Sequence, residues 1–280
     1  MGCSNDEDNS GQDLIKREYS SEANIEYNTY WISKYNGSGQ IISRKTNDDA
    51  RNGNSSRHSV PNEFEYDANG RLISTNTVDF GYDSAGRVIS RTGPTKSITQ
   101  YLSYLDDVIT LTDNSSDYVR TFKLDSKNRV IEFNGENNEL TARIQYDEFD
   151  NITKVEFVPV HPEWWSTKDV IEIEHDSNPN PYLNSYRDYI ESSRLFQFSM
   201  DDKLWVYLVF FATNNIVKFE SYSESYNTET GSYDRSDFTE SYQIEHELNS
   251  NGFPTIFRIS HSLEQPDRIL TSNSLVKLVY

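Results

Sequence analysis

The chain is 280 residues long and carries 26 Lys and Arg against 45 Asp and Glu, a formal net charge of −19. A surface of that sign repels phosphate backbones and anionic headgroups, which argues against nucleic acid as a partner and against docking on anionic lipid through the protein face. Hydrophobic residues make up only 35%, yet aromatics reach 13%, with 19 Tyr and 14 Phe, the profile of rings half-buried on pleated sheets rather than of a disordered chain.

The amino terminus reads MGCSNDEDNSGQD and holds the one cysteine, Cys3. A single cysteine permits neither an intrachain disulfide framework nor a thiolate metal cluster. Myristoylation on Gly2 would require Ser or Thr at position 6, where Asp6 stands. Gly2 is instead the small residue that precedes an acylated cysteine at a bacterial lipoprotein processing site. Ser4 to Asp8 form a short acidic stretch that resembles the surface-export signal of Bacteroidetes-type outer-membrane lipoproteins. The expectation is a lipid anchor on Cys3, a flexible acidic tether over residues 1–20, and a single all-β domain over 21–280 on the exterior of a bacterial outer membrane.

Along that domain one short unit recurs. It occurs as KYNGSGQIIS (Lys34 to Ser43), FEYDANGRLIS (Phe64 to Ser74), FGYDSAGRVIS (Phe80 to Ser90), KLDSKNRVIEF (Lys123 to Phe133), QYDEFDNITKVEF (Gln145 to Phe157) and ELNSNGFPTIF (Glu247 to Phe257). Each predicts strand, tight turn, strand. The turn opens on Asn36, Asp67, Asp83, Asp125, Asp147 or Asn249, whose side chains can accept hydrogen bonds from backbone N–H groups two residues on and so start a turn. It closes on Gly39, Gly70, Gly86, Asn128, Asp150 or Gly252, the three residue types that most readily adopt a left-handed conformation. A type I turn followed by a left-handed residue and a bulge matches the twist of the flanking strands.

Between and beyond the copies the pattern loosens. HPEWW (His161 to Trp165) follows a strand and is bounded by Pro159 and Pro162, which forbid continued pairing. Trp164 and Trp165 are therefore candidate binding residues, an exposed ring being a platform for a sugar or a partner side chain; alternatively one ring plugs the end of the sheet. Pro181 to Ser192 is the one place for a short helix or a long excursion. Leu204 to Ala212 reads as one buried strand. Further hairpin turns are expected near Asn214-Asn215 and at Thr230-Gly231. Tyr222, Tyr226, Tyr233 and Tyr242 form either a recognition face or cross-strand packing.

The two copies at Phe64 and Phe80 resemble the YD repeat, the unit of Rhs-type shells and teneurin-like proteins. The processing site, the Tyr-Asp-x-x-Gly turns, NPNPYLNSY (Asn178 to Tyr186) and FFATNNIVKF (Phe210 to Phe219) together resemble something narrower. They are similar to Bacteroidetes surface lipoproteins of a domain-of-unknown-function family with a porin-like fold. That resemblance implies an antiparallel β-hairpin meander, strongly curved or barrel-like, and brings no catalytic residues with it. Leu124 and Leu248 depart from it by replacing the repeat Tyr. The polar alternation of Ile171-Glu172-Ile173-Glu174 argues for a water-soluble sheet rather than a lipid-facing one.

Catalytic patterns are thin. The sequence has no G-x-S-x-G elbow and no H-E-x-x-H, and His58, His161, His175, His246 and His261 are scattered without metal-ligand spacing. Asp67 to Gly70 offers alternating oxygen ligands but lacks the distal Glu of a calcium loop. No cofactor and no metal are expected. The function expected is non-enzymatic binding of a glycan, a polymer or a partner protein. A structural component of an envelope complex is the alternative, and a polysaccharide-acting enzyme the third reading.

Overall fold

A computed structural model describes residues 12–21, 26–38, 40–50, 57–58, 61–93, 99–114, 119–134, 140–159, 167–180, 212–250, 254–265 and 268–277. These residues form strands and turns, with no helix among them. The first strands are β1 (Gln12–Ser21), β2 (Glu26–Tyr35), β3 (Ile41–Ala50), β4 (Arg57–His58), β5 (Asn62–Tyr66), β6 (Leu72–Thr75), β7 (Asp79–Tyr82), β8 (Val88–Thr92), β9 (Thr99–Leu105) and β10 (Val108–Asp113). There follow β11 (Val119–Leu124), β12 (Val130–Asn134), β13 (Leu140–Tyr146), β14 (Ile152–Pro159), β15 (Thr167–Pro179), β16 (Asn214–Asn227), β17 (Ser232–Leu248), β18 (Pro254–Gln265) and β19 (Arg268–Lys277).

All nineteen belong to one antiparallel sheet. Neighbours in sequence pair with each other, save that β3 pairs with both β4 and β5. β1 pairs with β2 over nine residue pairs and also meets β19 at Ser20↔Leu275 and Ser21↔Ser274. The end of β1 thus meets the end of β19, a stagger that lets tilted strands curl round. The sheet is a strongly curved antiparallel meander.

The six repeat copies share one register event. In the copy at Phe64, Glu65 faces Ser74 but Tyr66 faces Leu72, so the outgoing strand advances two residues while the incoming one advances one. The same skip occurs at Lys34/Tyr35, Gly81/Tyr82, Lys123/Leu124, Gln145/Tyr146 and Glu247/Leu248. Each is a bulge beside a turn, and bulges of this kind raise the local twist that curves a sheet. Because strand direction alternates, all six turns lie on one rim. The turn between β16 and β17 lies on the other.

One face of the pleat carries the core. Phe64, Leu72, Phe80, Leu102, Leu111, Phe122, Phe133, Ile144 and Val155 are buried there as one cluster. Facing positions interlock, as with Phe122 opposite Phe133, whose ring centroids lie 6.0 Å apart. Burial of each such side chain contributes roughly 1.5–3 kcal/mol. Alternation does the sorting: in β13, Ala142 and Ile144 are buried while Arg143 and Gln145 point outward.

The structure departs from the sequence reading in two places. Residues 12–20, expected as part of the tether, form β1 instead. The stretch is polar when scanned locally, but its register sets Leu14 against Ile32 and Ile15 against Trp31, and a strand is defined by that distant partner. Asn214-Asn215 is likewise no hairpin tip but the start of β16, Asn214 pairing with Pro179. The segment Pro181 to Ser192 and the run from Leu204 to Phe211 lie outside the described residues.

Candidate interaction surface

The turn rim is built from one repeated grip. In the turn at Asp67, carboxylate Oδ1 accepts from the backbone N–H of Asn69 and of Arg71, both at 2.9 Å, while Oδ2 accepts from Arg71 Nε at 2.7 Å. Asp83 with Ala85 and Arg87, and Asp125 with Lys127 and Arg129, repeat it atom for atom. Asp147 substitutes Asn151 for the arginine, and Asn36 substitutes Gln40. The closing residue is left-handed in each described copy: φ is +77° at Gly70, +83° at Gly86, +62° at Asn128 and +68° at Asp150. The grip holds the carboxylates ionised. Hydrogen bonds from the side chain and then the backbone of Arg71 set Asp67 below its ordinary value, and the Arg87 N–H followed by its side chain does so at Asp83. At Asp125 partial burial pushes upward, but the N–H and guanidinium of Arg129 outweigh it.

Each grip then reaches the next hairpin. Arg71 lies over the Tyr82 ring, Arg87 over Tyr104 and Arg129 over Tyr146, at 4.8, 4.4 and 4.4 Å from the ring centroids. The phenols donate back to the first residue of the preceding outgoing strand: Tyr82 to the Leu72 carbonyl at 2.6 Å, Tyr104 to Val88 at 2.7 Å, Tyr146 to Val130 at 2.8 Å. Tyr66 does the same to Ile41 at 2.8 Å. The row ends in a polar seam. Asn151 exchanges bonds with Asn214 (2.9 and 3.0 Å), Asn214 donates to the Asn178 carbonyl, and Asn178 donates twice to Asp176. His246, its side chain 4% exposed, sets Nδ1 3.5 Å from Asp176. Burial pushes both His246 and His175 below the ordinary imidazole value, against the pull of Asp176 on both and of Asp147 on His175.

The outer face differs in kind. Across β14 to β17 the positions opposite the core carry a charged and aromatic ladder. Lys168 bridges Glu156 at 3.2 Å and Glu224 at 2.6 Å. Lys154 lies 3.3 Å from Glu156 and 3.6 Å from Glu172; Lys218 lies 2.9 Å from Glu174 and 3.6 Å from Glu220. Arg235 pairs with Glu220 and covers the Tyr222 ring at 3.7 Å, while Tyr222 donates to Glu172 at 3.2 Å. Burial, with Glu172 beside it, pushes the Tyr222 phenol up to about 12. Lys154, Glu172, Glu174, Lys218 and Glu220 edge an open depression of about 320 Å³. Such a surface offers donors and acceptors of both signs on a rigid base, the chemistry that holds a polar polymer or a charged protein face.

Residues 66–98 match the family model of the RHS repeat. The match begins inside the copy that opens at Phe64 and takes in the copy that opens at Phe80. No curated protein matches the chain. Among solved structures, a porin-like protein from Bacteroides uniformis is 12% identical, with 96% of each chain covered and a TM-score of 0.46. A porin-like protein from Bacteroides vulgatus is 13% identical, with 84% of this chain and 97% of that chain covered and a TM-score of 0.34.

Of the residues singled out from the sequence, Asp67, Gly70, Asp83, Gly86, Asp125, Asn128, Asp147 and Asp150 all sit in turns of this one kind on one rim, and Asn249 follows β17 on the same rim. Cys3, Trp164, Trp165, Gly39 and Gly252 lie outside the described residues. Among the four tyrosines, Tyr226 and Tyr233 meet edge to face across β16 and β17 at 5.2 Å, and Tyr242 stacks on His261 at 4.4 Å. Tyr222 is buried. These are cross-strand contacts. Among the described residues no group of three or more His, Cys, Asp or Glu is placed to hold a metal ion; the Asp67 carboxylate is engaged by Arg71 and two backbone N–H groups. The Lys–Glu ladder escaped sequence reading, although the alternation in Ile171 to Glu174 and in Lys218 to Glu220 was its visible trace. The buried Asn151, Asn180 and Asn215 left no trace at all.

Proposed function

We propose that this chain is a non-enzymatic lipoprotein of the bacterial outer membrane, anchored through Cys3 and facing the exterior, which binds a glycan, a polymer or a partner protein. The observation that carries the binding reading is the outer ladder of β14 to β17: half-buried Lys168, Glu156 and Glu224 beside the accessible Lys218, Glu174 and Glu172. A built array of ion pairs on a sheet exterior has ordered its long side chains in advance, so a ligand that exchanges with them meets a smaller entropic cost. Trp164 and Trp165 join the proposal as sequence candidates, since the chain between Pro159 and Thr167 leads directly into Lys168. The supporting test is a glycan array and a pull-down on envelope material with wild type, Lys218→Ala/Glu174→Ala, and Trp164→Ala/Trp165→Ala. A tenfold or greater loss in the ladder variant locates binding on the outer face. Full retention by both variants overturns the binding surface in favour of a second reading, a scaffold component of an envelope complex. That reading draws on the interlocked turn rim, which gives the sheet a stiff, repetitive frame.

A further inference from the structure

β1 begins on the rim that carries the repeat turns. We infer that the rim of repeat turns faces the lipid surface, and that the opposite rim, with the β16–β17 hairpin tip, points away from it. The inference rests on the lipid-anchor reading of Cys3 and adds an orientation to it.

Gln12 pairs with Lys34, two residues before the turn that opens on Asn36, so β1 begins on the turn rim. It stands nine positions after Cys3. Nine residues, even fully extended, span at most about 30 Å. The hairpin of β16 and β17 runs from the turn rim at Asn214 to its tip beyond Asn227, fourteen residues, or roughly 45 Å at a strand's rise per residue. A tether leaving the turn rim is therefore shorter than the strands that rise from that rim. Inverting the molecule, with the hairpin tip against the lipid, would stretch the tether past its reach unless the strands lay over steeply.

Exposed apolar side chains do not decide the matter alone, because both rims carry them. Leu105 and Phe149, 74% and 62% exposed, stand at turn tips on the anchored rim, and Ile269, 64% exposed, stands at the other. The tether breaks that symmetry. It brings Leu105 and Phe149 to the interface, where apolar tips gain from contact with acyl chains. Ile269 is left toward solvent.

Because Cys3 is the one cysteine, the full chain can be coupled through it to a maleimide lipid in phosphatidylcholine vesicles. A donor dye attached through a genetically encoded azide at Ser126, an exposed turn residue, or at Glu229, in the far hairpin tip, reports distance to acceptor-labelled headgroups. Energy transfer from Ser126 at least threefold stronger than from Glu229 is the expected result. Equal or reversed transfer overturns the orientation. Mass spectrometry of the protein from native envelopes separates the two layers: an unacylated Cys3 sinks the anchor reading, whereas an acylated Cys3 with reversed transfer sinks the orientation alone.

Discussion

The turn-closing residues illustrate how a single steric demand organises this chain. Gly86 has φ of +83°, and a Cβ built there meets only Arg71 Nη1 at 3.8 Å, an ordinary contact. Gly86→Ala therefore isolates the backbone strain, and an expected loss of about 1 kcal/mol is checked by the shift in urea midpoint. Asn128 already occupies the same conformation. Asn128→Gly should move the midpoint by less than about 0.5 kcal/mol, since relieved strain is offset by added freedom in the unfolded chain. At the opening position, Asp125→Ala removes the acceptor for two backbone N–H groups and should cost about 1–2 kcal/mol. Asp125→Asn should cost less, because Asn36 shows that an amide oxygen accepts the same two bonds. The Asx-type opening and the left-handed close were legible from sequence, because they are confined to five consecutive residues; the arginine on the carboxylate was not.

Between elements the legibility ends. Tyr104 takes the part of a repeat tyrosine, donating to Val88 beneath Arg87, although the turn after it holds Asp106-Asp107 and no Asp-x-x-Gly. A motif defined by its turn could not find a residue defined by its neighbour's arginine. Each phenol bond ties its hairpin to the strand before it, so Tyr82→Phe should weaken the β6–β7 seam by about 1 kcal/mol while leaving its own hairpin intact. Faster amide exchange in β6 and β7 than in β12 and β13 is the signature. The polar seam at Asp176 makes an acid prediction. His175 and His246 are held below their unfolded value by burial, so the unfolded chain binds more protons as pH falls below about 6.5. Their contribution to stability is complete above that value and declines as pH drops toward their folded values. The carboxylates of Asp67, Asp83 and Asp125, held below 3.8, release theirs only in stronger acid. Thermal midpoints measured from pH 8 to 5 should fall first through the imidazoles, and His175→Gln/His246→Gln should flatten that first decline.

At the scale of the whole molecule the informative strand is the one that composition concealed. β1 is polar enough to pass for tether, yet it lies along β2 over nine residue pairs and meets the end of β19 at two. An uncovered edge presents a row of free N–H and C=O groups that recruits other chains. The long strands β15 to β19 make such exposure more hazardous than it would be at the short repeat hairpins. A chain beginning at Gln12 should therefore keep the melting temperature of the full protein and elute as the same species. A chain beginning at Glu22 should melt lower and associate, because the edges of β2 and β19 lose their shared partner. If both truncations behave alike, β1 contributes nothing to the sheet, and its curvature must be held by the bulges beside the repeat turns.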